Sequence, residues 1–355
     1  MTVRELPPLR LGPISRVRRP WVAVVIGALT VLIVLLMAAG IAIGDYPLSV
    51  PRVFGIVFAG TDAPMERLVV WKWRMPRVVT ALVVGMALGI AGALTQSVAR
   101  NALASPDILG VTSGASAFAV AAIVLGKSDT VFAWLAGVGL SLAALFGGLF
   151  AGAIMWLLAW RRTTDPLRLV LFGIILSALF QACLYFLISR ADISDAGQAT
   201  FWLHGSLNSP NWDRLRPAAL VLMVSVLLLG WLGFLVLAHS LGPTLAQALG
   251  QGMGRTQWSM LGVAIVLSAM SVSVAGPIQF IAFVGPQIAL RLLRSPTPPL
   301  FTSALVGAAL LLAADIVVQL LPHELPVGVV TSATGGVFLV YLLVRQNRML
   351  ASTWK

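Results

Sequence analysis

Residues 21–44 read WVAVVIGALTVLIVLLMAAGIAIG, an unbroken apolar run without a single charge. A helix rises 1.5 Å per residue, so about 20 such residues cross the ~30 Å hydrocarbon core of a bilayer. Comparable runs recur at 76–98, 106–126, 131–160, 166–189, 215–238, 256–275, 278–293, 298–321 and 326–345. Only 10% of the residues are charged and 59% are hydrophobic, too few charges to wet the surface of a soluble fold. No segment alternates at period two, which argues against a barrel. The chain therefore reads as an all-α polytopic membrane protein of about ten transmembrane helices. A short extra helix is expected at 195–206, outside that count.

Local signals place the helix starts. Pro76, Pro106, Pro166, Pro277 and Pro326 stand where runs begin, and proline suits a first turn because its missing N–H has no helical partner there. Asp107 and Asp165 stand at helix starts, where a carboxylate can accept orphan N–H groups. Lys and Arg set the orientation. With a cytoplasmic N-terminus, the inner side holds 15 of the 24 basic residues, including Arg16, Arg18, Arg19, Arg161 and Arg162. Both termini then face the cytoplasm. The net charge of +12 is a topology signal and calls for no nucleic acid. The basic residues 1–20 read as a cytoplasmic tail and not as a cleaved signal. Residues 21–346 read as one transmembrane domain, and 347–355 as a second cytoplasmic tail.

Chemistry-bearing residues are sparse. One cysteine, Cys183, excludes an internal disulfide framework. His204, His239 and His323 are scattered, without metal-ligand spacing. The His323–Glu324 pair reads as a solvated outer turn. The LGKS stretch at 125–128 lacks the first glycine of a phosphate loop, since Ala121 stands in its place. No nucleotide site, cofactor site or metal site is expected, and no catalytic residue.

Five stretches carry the information. In VWKWRMPRVV, residues 70–79, Arg74 and Arg77 are three residues apart at the mouth of a span. That spacing puts them on one helix face, in reach of either partner carboxylates or lipid phosphates. In GMALGIAGALTQ, Gly85, Gly89 and Gly92 line one helix face with Gln96 one turn on, which suits close helix packing or an aqueous path. In RNALASPDILGVTSGASA, Ser113 and Gly114 belong to a thin, polar helix start suited to the same two roles. LGPTLAQALGQGMGRTQ, residues 241–257, interrupts two spans on the inner side. Its helix at about 241–254 carries Leu245, Ala248 and Leu249 on one face and ends at Gly250. Docking to a cytoplasmic partner is expected there, with a membrane-surface role as the alternative. Finally, AGPIQFIAFVGPQIALRLLR has two Gly-Pro pairs expected to break helical hydrogen bonding, the second including Pro286 and followed by Gln287. Asp315, in ADIVVQLLPHELPVGVVTSATGG, lies near a helix end and needs a partner.

These ordered stretches resemble the FecCD family over about residues 70–346. That family comprises the membrane permeases of type II ABC importers for iron-siderophores, heme and cobalamin. The resemblance implies a permease in the bacterial cytoplasmic membrane that binds no ATP itself. Its partners would be a second FecCD-type permease, two ABC ATPases docking at 241–254, and an extracytoplasmic siderophore-binding protein or lipoprotein. It also implies that Arg74 and Arg77 dock that binding protein. Because they are interfacial, removing their charge is expected to cost the fold little. The chain departs from the family at Gln279, Ala282, Gln287 and Gln319, which points to a heterodimer of unlike permeases. A secondary transporter coupled to ions is the alternative. It would need ionisable groups near the membrane midplane, and Asp315 lies toward the outer side.

Overall fold

The computed structural model describes residues 6–11, 14–18, 20–44, 46, 48–58, 63–126, 139–159, 166–208, 211–322 and 325–353. Lys127, Ser128, Thr163, Asp165, His323 and Glu324 lie outside the described residues. The N-terminal tail forms an antiparallel hairpin of β1 (Leu6–Leu11) and β2 (Ile14–Arg18), which the apolar pattern does not announce.

The helices follow in order: α1 (Pro20–Ala42), α2 (Val50–Phe58), α3 (Pro64–Leu68), a π-helical turn (Val69–Arg74), α4 (Met75–Ala99), a 3-10 turn (Pro106–Leu109), α5 (Val111–Leu125) and α6 (Leu140–Ala159). Then come α7 (Pro166–Ser189), α8 (Ile193–Leu203), α9 (Trp212–Leu227), α10 (Leu229–Ser240), α11 (Pro243–Ala248), α12 (Met253–Ala275), α13 (Ile281–Leu293), α14 (Leu300–Leu320) and α15 (Val327–Thr353).

Each of the ten expected runs holds a helix, but they are not equivalent. Among the described residues, seven helices are long and apolar enough to cross a membrane. The pair α9 and α10, bent by 59°, brings the number to eight if the two are taken as one span. The helices α5 and α13, with 15 and 13 residues, reach only ~22 Å and ~20 Å and cannot cross alone. Helix α4 continues α3 through the π turn into one element of 36 residues, Pro64–Ala99.

Helix α4 is the hub. It packs against α14, α12 and α13, and most of its side chains are buried. Helices α5 and α6 form a second tightly packed pair. Two apolar clusters result, one around Ile90, Leu94, Met260 and Leu261, the other around Val70, Val78, Leu311 and Leu312. The outward faces of α1 and α7 stay mostly uncovered, as lipid or a second subunit requires.

One expectation about proline needs correction. Pro277 does not open a helix. Gly276, at φ 71°, ends α12, and α13 begins only at Ile281. Pro286 sits inside α13 and breaks its hydrogen bonding at one carbonyl without ending the helix. The Ala282 carbonyl, deprived of its i+4 donor by Pro286, is covered by a close backbone contact. It fills the place a Cβ would take at Gly92.

Candidate functional site

The two arginines sit at the outer end of the bundle and both are engaged within the subunit. Arg74 donates through Nη1 to the carbonyls of Ile41 (2.8 Å) and Ala42 (3.1 Å), and through Nη2 to that of Tyr46 (2.5 Å). These bonds satisfy the orphan carbonyls at the end of α1 and set a cation against the negative end of its dipole. Gly44 allows the approach, because a Cβ there would stand 2.6 Å from Arg74 Nη2. Arg77 grips Asp315 on α14 with Nε at 3.0 and 3.1 Å from the two carboxylate oxygens and Nη2 at 2.9 Å. Asp315 also accepts from Gln319 Nε2 at 2.8 Å. Its side chain is 2% exposed and that of Arg77 21%.

This corrects the expectation that the arginines matter little to the fold. Together they tie α1, α4 and α14 together at one end. Both still line a cavity of about 490 Å³ with Tyr46, Trp73, Asn208 and Gln319. Nearby, Arg52 on α2 bonds Glu66 on α3 at 2.7 Å. The hydrogen bond that Arg52 donates to Glu66 raises the Arg52 pKa above its ordinary value, and the carboxylate charge adds to it.

The glycine face of α4 lies against backbone. A Cβ at Gly85 would stand 2.6 Å from the Gly307 carbonyl, and one at Gly89 would collide with the Ser303 carbonyl. Gln96 is 3% exposed and Gln287 5%. Gln287 Nε2 donates to Gln96 Oε1 (2.8 Å), and Gln96 Nε2 donates to the Phe283 carbonyl (3.0 Å). Arg291 Nη1 donates to the Gln287 carbonyl (2.6 Å). The structure thus places Gly85, Gly89, Gly92, Gln96, Pro286 and Gln287 in contacts between α4, α13 and α14. Ser113 is half-buried, and Gly114 lies against Gly147 and Ala151 of α6.

On the inner side, the expected helix at 241–254 is only six residues, Pro243–Ala248. Leu245 and Leu249 are 55% and 53% exposed, Ala248 is exposed, and Ala246 is buried. Gly250, at φ 76°, closes the helix, and Gln251 N–H reaches the Ala246 carbonyl at 2.9 Å. The apolar face therefore points away from the subunit.

Several contributors escaped the sequence reading. Gln319 is a partner of Asp315. Arg100, with φ 47° at the end of α4, donates to the His239 carbonyl at 3.0 Å and ties α4 to α10 just before the inner helix. Phe280, with φ 67°, stands at the junction of the two broken elements. Gln319 lies one helical turn from Asp315, a spacing that does offer a partner; no local pattern announces Arg100 or Phe280.

Broken half-spans, a long glycine-faced hub helix, an arginine-lined outer cavity and an apolar inner knob describe a multi-pass membrane subunit of a transport system. Residues 16–345 match the FecCD transport family, and the chain belongs to that family. It is 39% identical over 313 residues to the ferric enterobactin transport system permease protein FepG of Escherichia coli (strain K12), covering 87% of this chain and 92% of that one. It is 33% identical over 295 residues to the iron(3+)-hydroxamate import system permease protein FhuG of Bacillus subtilis (strain 168), covering 82% and 88%. A solved ABC transporter assigned to the metal-chelate type, in an inward-facing conformation, superposes with a TM-score of 0.76 at 28% identity. That match covers 91% of this chain and 99% of the solved one.

Proposed function

We propose that this chain is the multi-pass membrane permease subunit of an ABC importer carrying an iron-siderophore or similar iron chelate into a bacterial cytoplasm. The observation that carries this reading is family membership over residues 16–345, together with relatives named for ferric enterobactin and iron(3+)-hydroxamate transport. The permease itself does no bond chemistry. ATP is bound by partner ATPases, and an extracytoplasmic binding protein delivers the chelate. The alternative of an ion-coupled carrier loses support because Asp315 lies toward the outer side and is held by Arg77 and Gln319, and Asp107 is held by Thr112 and Ser105.

The geometry supports particular docking surfaces. The exposed Leu245, Ala248 and Leu249, closed by Gly250, suit an apolar groove on an ATPase. The cavity edged by Arg74 and Arg77 suits carboxylates of a binding protein. Residues 21–346 would act as one permease domain between two cytoplasmic tails. The departures at Gln279, Ala282, Gln287 and Gln319 favour an unlike second permease over a second copy of this chain. Uptake of ferric chelate into proteoliposomes holding this chain, its ATPase and its binding protein, with and without a second permease chain, tests the reading. ATP-dependent uptake that needs the second chain is expected. Full uptake without it overturns the heterodimer, and no uptake of any iron chelate by the complete set overturns the substrate class.

A further inference from the structure

Two half-spans run in opposite directions and begin at depth. Helix α5 climbs from Val111 to the outer side, and α13 descends from Ile281 to the inner side. Neither crosses alone, so the irregular segments before them, 100–110 and 276–280, enter the hydrocarbon zone. Irregular backbone at that depth persists only inside protein or beside water, and broken helices of this kind are where transporters place ligand contacts. Here the two segments meet. Ser105 and Asp107 from one, and Gln279 and Phe280 from the other, line a single cavity of about 340 Å³ together with Leu103, Phe283 and Leu339.

Two details single out this cavity. Gln279 is exposed, and an amide facing lipid at that depth would lose its hydrogen bonds at a cost of several kcal/mol. It therefore calls for water or polar groups of a second subunit beside it. Phe280 holds φ at 67°, a region bulky side chains avoid because of steric strain. The strain is held in place. The Phe280 carbonyl accepts from Val284 N–H at 2.8 Å, and the ring fills the space that a Cβ would take at Gly335 of α15. It also meets Phe283 edge-on, with centroids 6.3 Å apart. The result is an aromatic surface beside an amide, a hydroxyl and a carboxyl.

We propose that this cavity is a contact station on the translocation path, where Gln279 and Phe280 discriminate among iron chelates in favour of oxygen-rich ones with flat aromatic rings. The aromatic faces stack on the aryl groups, while Gln279 and Ser105 bond the chelate's peripheral oxygens. The proposal rests on the permease reading above.

The test uses the whole transporter with Cys183→Ser as background, which removes the only cysteine. In Gln279→Cys, a membrane-impermeant maleimide should label the assembled complex in lipid, whereas Ile278→Cys, 5% exposed in the parent, should stay unlabelled. Absence of labelling at 279 overturns the proposal even if wild-type uptake is intact. Gln279→Gly should raise the uptake KM of a ferric tris-catecholate relative to that of a ferric trihydroxamate by about tenfold, the size of one lost hydrogen bond. An unchanged ratio overturns the selectivity role. If the wild-type transporter carries neither probe, the substrate class fails, while labelling still decides whether the cavity is aqueous.

Discussion

Arg77 and Asp315 offer the sharpest test of the outer junction, because the two partners are unequally buried. Removing one member of a buried ion pair costs about 3–5 kcal/mol when it strands the other charge. With Arg77→Met, the stranded group is a carboxylate whose side chain is 2% exposed, left with Gln319 alone. With Asp315→Asn, the stranded group is a guanidinium that lines an open cavity and can reach water, while the new amide still faces Gln319. The expected losses are about 3 kcal/mol and about 1 kcal/mol. At roughly 2 °C per kcal/mol, the thermal midpoint in detergent, followed by size-exclusion fluorescence, drops ~6 °C in the first variant and ~2 °C in the second. The double variant Arg77→Met/Asp315→Leu leaves no charge stranded, so it should recover most of the loss. Equal drops in the two single variants, or a double variant less stable than Arg77→Met, would refute the reasoning.

The glycine face gives a contrast within one residue type. Gly89→Ala drives a methyl into the Ser303 carbonyl and should cost about 2–3 kcal/mol or more, whereas Gly262→Ala meets nothing within 4 Å and should be neutral or slightly stabilising; detergent melting of both variants checks the pair. At the inner helix, Leu245→Asp should abolish co-purification of the ATPase while leaving insertion and melting unchanged, because Leu245 is 55% exposed. Ala246→Asp, at a buried position, should instead lower the melting midpoint. Full ATPase stoichiometry with Leu245→Asp would return the helix to a membrane-surface role.

The spans were legible because apolar length and proline position are local signals. Helix α7 starts at Pro166 and ends at Ser189, as the run itself does. The break between α9 and α10 was not legible, since its nearest glycine, Gly230, lies two residues past Leu228 within a continuous apolar run that hides it. The arginines exposed the deeper difficulty. Spacing put Arg74 and Arg77 at the mouth of a span, and the structure puts them there. Their partners lie up to 238 positions away, so local reading could assign them a face but not an occupation. Gln96 has the same history. Its cost in lipid was evident, but the partner Gln287, 191 positions on, was visible only in three dimensions. Depth was missed for a related reason. Apolar counts alone gave α13 a span, whereas its 13 residues and the strained Phe280 before it make a half-span with a cavity at its head.

Gln319 decides how much positive charge the outer cavity presents. Its Nε2 spends a bond on Asp315 at 2.8 Å, so Arg77, Asp315 and Gln319 together are neutral. Arg74 is turned to the carbonyls of α1, and its charge faces the negative end of that helix. A carboxylate arriving from a binding protein therefore meets little positive charge beyond that of Arg74 here. Gln319→Arg would keep the i,i+4 contact to Asp315 on α14 and add one full charge beside the cavity. A charge-assisted bond contributes about 1.5–3 kcal/mol, so capture of the binding protein should tighten by at least tenfold at low salt. The gain should shrink as ionic strength rises and the Debye length falls to about 8 Å at 0.15 M. Surface-immobilised transporter in lipid discs, titrated with binding protein at several salt concentrations, measures both. Unchanged capture at low salt would mean that this cavity does not meet acidic groups of the binding protein, and that Arg74 and Arg77 serve the fold alone.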